Sequence, residues 1–207
     1  MKTKEKKPRV NWSIDKVHSE ISFKVRHLMI AFVKGEFKSF DANVITERDD
    51  FSDSKIELSI DVQSISTGDE YRDEHLRSPD FFNTEKYNTI RFQSNFVSPM
   101  DSDENMVIKG DLTIIGITKP ITLNARFGGK IKDQYGDEKA GFHLIGKINR
   151  SDWGLTWNKL IDAGGVLICD EVTLICEVEL IKDNKKEAVR KIRHESIPEK
   201  IVAQNSL

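Results

Sequence analysis

Residues 21–27, read as ISFKVRH, alternate apolar and polar side chains without a break. Successive Cβ atoms of an extended chain point to opposite faces, so Ile21, Phe23 and Val25 share one side while Ser22, Lys24 and Arg26 share the other. His27 ends the apolar row, a polar ring on the side that should be dry. That face looks either at a solid core or into a compartment.

The same period of two recurs along the chain. KIELSIDVQSI aligns Ile56, Leu58, Ile60 and Val62; NTIRFQSNFV aligns Ile90, Phe92 and Phe96; MVIKGDLTII aligns Met106, Ile108, Leu112 and Ile114. GITKP supplies turn chemistry before ITLNARF, which sets Ile121, Leu123, Ala125 and Phe127 in register. AGFHLIGKI offers Ala140, Phe142, Leu144 and Ile148, and EVTLICEVELI offers Val172, Leu174, Cys176, Val178 and Leu180. With ISFKVRH and the less regular VKGEFKSFDANVI, this predicts about eight strands. Each is polar on its second face, which marks antiparallel sheet with one wet side.

Only TGDEYRDEHLRSPDFF reads as helix. Thr67 and Glu70 form a capping box and Pro79 ends the segment after Ser78, leaving Tyr71, His75 and Leu76 to face inward. A helix so short and charged can cap an opening but cannot cover a sheet. The alternation suits a two-sheet sandwich and a closed barrel equally. Strands of about ten residues, with small groups at Ser94, Gly110, Ala125 and Gly146 in the inward rows, favour a barrel around space. The segment from Ser151 to Asp170, with two tryptophans, is long enough to be functional.

Composition narrows the function. With 32 Lys and Arg against 34 Asp and Glu, the formal charge is -2, so no global basic field exists to hold nucleic acid. The basic start, MKTKEKKPRVNW, lacks the apolar run of a secretory signal, and a cytoplasmic location is expected. Cys169 and Cys176, on one strand, would lie roughly 23 Å apart and cannot bridge each other. No Cys-x-x-Cys, nucleophile elbow or phosphate loop occurs, so neither a metal centre nor a catalytic nucleophile is predicted.

Four stretches together carry a resemblance: WSIDKVHSEISFKVRHLMIAFVKGEF, YRDEHLRSPDFFNTEKYNTIRF, GDLTIIGITKPITL and GFHLIGKINRSDWGLTWN. The chain resembles the YceI-like, polyisoprenoid-binding family over about residues 11–182. The resemblance implies an eight-stranded antiparallel, lipocalin-like β-barrel with an internal cavity, often in a homodimer. Residues 1–10 then form a flexible basic N-terminus, 11–182 the lipid-binding barrel and 183–207 a charged tail. Many members carry a signal peptide, and this chain departs from them.

An isoprenoid lipid, a polyprenyl phosphate or a quinone-like amphiphile, is the guest so implied, with no further cofactor. A tail of about forty carbons at ~0.3 kcal/mol per heavy atom would gain ~12 kcal/mol. Candidate lining residues are Phe23, Val25, Ile60, Phe92 and Leu112, then Ile114, Leu123, Phe142, Leu144 and Val178, although such rows also simply pack together. His27 is placed to meet a head group, or to bond a backbone carbonyl. Arg72, His75, Arg77 and Arg150 are candidates for a diphosphate, since guanidinium matches phosphate oxygens in a fork, while surface ion pairs are the ordinary alternative. Trp153 and Trp157 either contact an entering isoprenoid or plug the barrel end. The tail from Lys182 to Arg193, with Lys185, Lys186, Arg190 and Lys191 around Val189 and Ile192, is either solvated or rests on an anionic membrane. Non-catalytic binding, sequestration or transport is therefore expected; an enzyme acting on such a lipid in the same cavity and a filled, ligand-free interaction module are the alternatives.

Overall fold

The computed structural model describes residues 9–161 and 165–183. The basic residues before Arg9 and the tail beyond Asp183, including the membrane-contact candidates Lys185 to Arg193, lie outside the described residues. In chain order the strands are β1 (Val10–Ile14), β2 (Glu20–His27), β3 (Ala31–Phe37), β4 (Phe40–Thr46), β5 (Lys55–Asp61) and β6 (Ile65–Ser66). Helix α1 (Glu70–Arg77) follows. Then come β7 (Thr89–Val97), β8 (Asn105–Ile114), β9 (Ile117–Lys132), β10 (Glu138–Asn149), β11 (Leu160–Ile161), β12 (Gly165–Val166) and β13 (Ile168–Lys182).

Antiparallel pairing runs β1-β4-β5-β7-β8-β9-β10-β13 and returns from β13 to β1, closing an eight-stranded barrel. Three of its staves are bent rather than single strands. β1 and β2 both pair with β13, on either side of a break at Asp15, whose Oδ1 accepts from the Val17 N–H at 3.0 Å. β4 continues β3 past Lys38 and Ser39, whose N–H groups are held by the Ser64 carbonyl and hydroxyl at 3.1 and 2.9 Å. β6 continues β5 beyond a 3-10 turn at Val62–Ser64, capped by Asp61. Each kink is thus secured by a side chain or turn, so the backbone groups freed by the bend stay bonded.

Beyond the kinks, β6 pairs only with β3 and leaves a gap toward β7. Helix α1 sits at that edge. Arg77 donates to the carbonyls of Gln63 and Ile65 at 3.2 Å each, and buried Asp73 accepts from the Thr67 N–H at 2.8 Å and its hydroxyl at 2.5 Å. Thr67 is therefore not the helix cap; Asp69 is, accepting from the Arg72 N–H, because Thr67 is engaged by Asp73. Ser78 ends the helix, as Pro79 requires. Tyr71, expected to face inward, is 88% exposed.

The opposite end is sealed. Phe51, from the β4–β5 loop, packs against Trp12, Phe142 and Phe127 with ring centroids 5.2, 5.1 and 6.1 Å away. Such tilted and edge-on rings fill a barrel end while excluding water.

Two strand readings need correction. A bulge between Ser94 and Phe96 flips the alternation, so Val97 is buried and Phe96 is half exposed. β9 begins at Ile117, before Pro120; β10 pairs with β9 only from Leu123 onward, so the edge beside the proline is open. The small inward residues are not empty space either. A Cβ on Gly110 would stand 2.5 Å from the Phe92 ring, and one on Gly146 2.5 Å from Leu123 Cδ2, so larger neighbours already cover both glycines.

Candidate functional site

Between helix α1 and the aromatic seal the barrel encloses a cavity of about 520 Å³. Phe23 and Val25 of β2, Ile60 of β5, Phe92 of β7, Leu112 and Ile114 of β8 and Leu123 of β9 all line it. They do so because the inward rows of neighbouring strands stand level in an antiparallel register. Phe142, Leu144 and Val178 lie deeper, around a second space of about 90 Å³ next to the seal. Ile21, Leu58, Phe92, Leu123 and Cys176 border both spaces and form the partition between them.

Trp153 borders neither. It is buried in a 3-10 turn and donates Nε1–H to the Leu112 carbonyl at 3.0 Å, plugging the space beside β8. Trp157 does reach the large cavity, where its ring lies 4.7 Å from His75 and 5.2 Å from Phe81. Phe81, Phe82, Leu155 and Leu167 also line it, although the strand alternation gives them no place. They sit outside the alternating strands, and only their apolar character within otherwise polar segments could have marked them.

Polar side chains gather at the helix end of the cavity. Arg72 gives Nε–H to Thr67 Oγ1 at 2.7 Å and Nη2–H to the Thr67 carbonyl at 3.0 Å. His75 Nε2 is 3.0 Å from Asp80 Oδ2. Arg150, buried, donates to the carbonyls of Leu155, Trp157 (2.9 Å), Cys169 (3.2 Å) and Ile168 (3.5 Å). Burial pulls its pKa down, opposed by nearby Asp170. Arg77 spends its donors on α1 and β6 and does not border the cavity. His27 does border it, at the end of β2, and its ring has no hydrogen-bond partner among the described residues. At the cavity's deep end, burial pushes the Cys176 thiol up to about 12, so it stays protonated.

Outside the cavity, Asp15, His18 and Glu179 offer ligand atoms within 4.8 Å of one another. Lys139 Nζ already stands 3.2 Å from Asp15 and 2.7 Å from Glu179, so the protein supplies its own cation there. No helix among the described residues is long and apolar enough to cross a membrane.

The YceI-like domain profile matches residues 12–180. A UPF0312 protein of Staphylococcus aureus is 38% identical over 170 residues, covering 82% of this chain and 96% of its own length. The crystal structure of the Campylobacter jejuni YCEI protein superposes with a TM-score of 0.65 at 36% identity, over 82% of this chain and 96% of that one. A polyisoprenoid-binding domain from Saccharophagus degradans, implicated in plant cell wall breakdown, shares the fold at 16% identity and a TM-score of 0.59, over 83% of this chain and 98% of that one. The closed barrel, its capping helix and these matches together place the chain in the YceI-like domain family.

Proposed function

We propose that this protein binds an isoprenoid amphiphile, a prenyl phosphate or a quinone, and sequesters or carries it without altering it chemically. The supporting observation is a polarity gradient along one cavity. Ile21, Leu58, Phe92 and Leu123 line its depth, whereas His27, Arg72, His75 and Arg150 stand at its helix end. An amphiphile inserted tail-first satisfies both halves, because burying hydrocarbon yields most of the affinity while a few convergent polar groups fix orientation. The domain from Saccharophagus degradans, described as polyisoprenoid-binding, makes the same class of guest the natural one here.

The volume bounds the tail. Benzene fills an apolar cavity of ~150 Å³, or about 25 Å³ per carbon. At that density 520 Å³ accepts roughly twenty carbons, half of the tail considered from sequence. At ~0.3 kcal/mol per heavy atom such a tail gains ~6 kcal/mol, a dissociation constant in the tens of micromolar. The arginines at the mouth spend donors on backbone carbonyls, which favours binding without reaction, and the enzyme alternative would have to use His75, whose Nε2 lies 3.0 Å from Asp80 Oδ2.

Organic extraction of protein purified from its own host, followed by mass spectrometry, tests the reading. A prenyl lipid recovered in near-stoichiometric amount and returned intact after incubation supports it. If neither that lipid nor added geranylgeraniol binds the purified protein, the cargo role is wrong; a chemically changed lipid would make it an enzyme.

A further inference from the structure

The turn between β2 and β3 is built from the wrong residues for its shape. Leu28 and Met29 both hold positive φ, at 50° and 62°, and the Ile30 N–H closes on the His27 carbonyl at 3.1 Å. Two successive left-handed residues ordinarily call for Asn-Gly or Asp-Gly, because a larger side chain is strained there. Here the strain displays apolar surface instead of hiding it: Met29 is 49%, Ile30 86% and Phe32 55% exposed. Leu28 is partly buried and Met29 Sδ lies 3.3 Å from Cys169 Sγ, but most of the tip's apolar surface stays uncovered, and backbone strain retained for so little packing points toward use.

Charge surrounds this tip. Lys24, Arg26 and Lys34 stand on the outward face of the same hairpin, Lys24 directly opposite Lys34. Like charges across a strand pair are unfavourable, so the pairing brings the fold nothing. Among the described residues none of the three has a carboxylate within ion-pair distance; the nearby acids Glu36 and Glu171 are taken by Lys38 and Lys147. Lys24 Nζ and Arg26 Cζ instead lie 5.5 and 5.4 Å from the Phe32 ring. The tip also adjoins the cavity mouth, since the Leu28 N–H donates to the carbonyl of Leu167, which lines the cavity, at 2.9 Å.

We propose that this hairpin docks the protein on an anionic lipid bilayer. Met29, Ile30 and Phe32 enter the interfacial zone while Lys24, Arg26 and Lys34 meet lipid phosphates, seating the cavity mouth on the membrane. A second copy of the chain fits less well, because pairing two such hairpins would bring their lysines together.

Co-sedimentation of the full chain with vesicles of phosphatidylglycerol and phosphatidylcholine in equal parts, and of phosphatidylcholine alone, tests the proposal. The full chain should favour the anionic vesicles and lose affinity with salt. Ile30→Glu should weaken partition at least about tenfold, and Lys34→Gln roughly fivefold. The double change Leu28→Asn with Met29→Gly gives the turn its preferred residues, so it should raise Tm while lowering vesicle affinity, a combination that misfolding cannot produce. Unchanged partition of these variants, which retain the C-terminal tail, overturns the proposal. So does equal binding to both vesicle types, or a change in the oligomeric mass of the lipid-free protein on Ile30→Glu. The readout needs no cargo, so it stands or falls separately from isoprenoid binding.

Discussion

Phe92 lies across Gly110 of the neighbouring strand, so close that a Cβ on the glycine would stand 2.5 Å from the ring and 2.4 Å from the Gln93 carbonyl oxygen. The glycine lets the ring lie down, and the ring in turn forms part of the partition between the two internal spaces. Gly110→Ala should therefore push Phe92 off its rotamer and cost about 1–3 kcal/mol by thermal unfolding. Phe92→Leu should open the partition at a smaller cost and shift the preferred prenol toward tails longer than geranylgeraniol. An unchanged order of affinities along a prenol series would show that Phe92 does not form the floor.

The rows that build the barrel were legible because each stave is wet on one face, which makes Phe92, Leu112 and Leu123 stand out at period two. Phe96 was misplaced because one bulge reverses the alternation, and a bulge leaves no mark in composition. Glycines in the inward rows suggest gaps, yet whether a gap remains depends on what leans over it from the next strand. Phe51 could not be placed at all: it seals the barrel from a loop at φ 58°, and only the closed ring brings it beside Trp12 and Phe142. At the mouth, residue type points to Arg72 and Arg150, but not to the backbone carbonyls that hold them, Thr67 before the helix for Arg72, and Leu155, Trp157 and the start of β13 for Arg150.

Cys176 and Cys169 sit on one strand and should differ in reactivity. Cys176 borders the two internal spaces, where burial pushes its thiol up to about 12, while Cys169 lies farther out with Sγ 3.3 Å from Met29 Sδ. Thiolate is the nucleophile, so iodoacetamide near pH 8 should label Cys169 first and leave Cys176 almost untouched. Peptide mass spectrometry reads the two separately, and labelling of both at one rate would mean that water fills the bore.

Asp15 ties the β1–β2 kink to β10 and β13. Burial would raise its pKa, but hydrogen bonds from His18, Lys139 and the Val17 N–H outweigh that and hold it well below the usual carboxylate range. Lys139 is held well above its ordinary value, chiefly by the hydrogen bond to Glu179 and then by Asp15. A depressed carboxylate contributes stability that is fully present above its unfolded value, ~3.9, and is lost as pH falls toward the folded value. The raised lysine contributes below ~10.4 and loses its share as pH rises beyond that. Stability should thus hold from about pH 5 to 10 and fall below pH 4. Asp15→Asn should lower Tm by roughly 4–8 °C at pH 7, from the loss of about 2 kcal/mol in charge-assisted bonds, and flatten the acid limb. An acid limb as steep as that of the unaltered protein would assign acid sensitivity elsewhere.

Arg150 holds the mouth together by binding carbonyls on two sides of it. Leu155 and Trp157 belong to the segment after β10, while Ile168 and Cys169 begin β13. A buried guanidinium suits that task because its donors are fixed in one plane and aim at several acceptors at once. Lysine has no such fork, so Arg150→Lys should leave carbonyls unpaired and cost about 2–3 kcal/mol. The loss should appear first as local opening. Hydrogen exchange should rise at Thr156 to Lys159 and at Leu167, whose N–H bonds the Lys159 carbonyl at 2.9 Å, before it rises in β8 or β9. If Arg150 instead serves mainly to hold a lipid phosphate, Arg150→Lys would keep normal exchange there and lose only affinity for prenyl phosphate over the uncharged prenol. The two outcomes separate a residue that shapes the mouth from one that grips the guest.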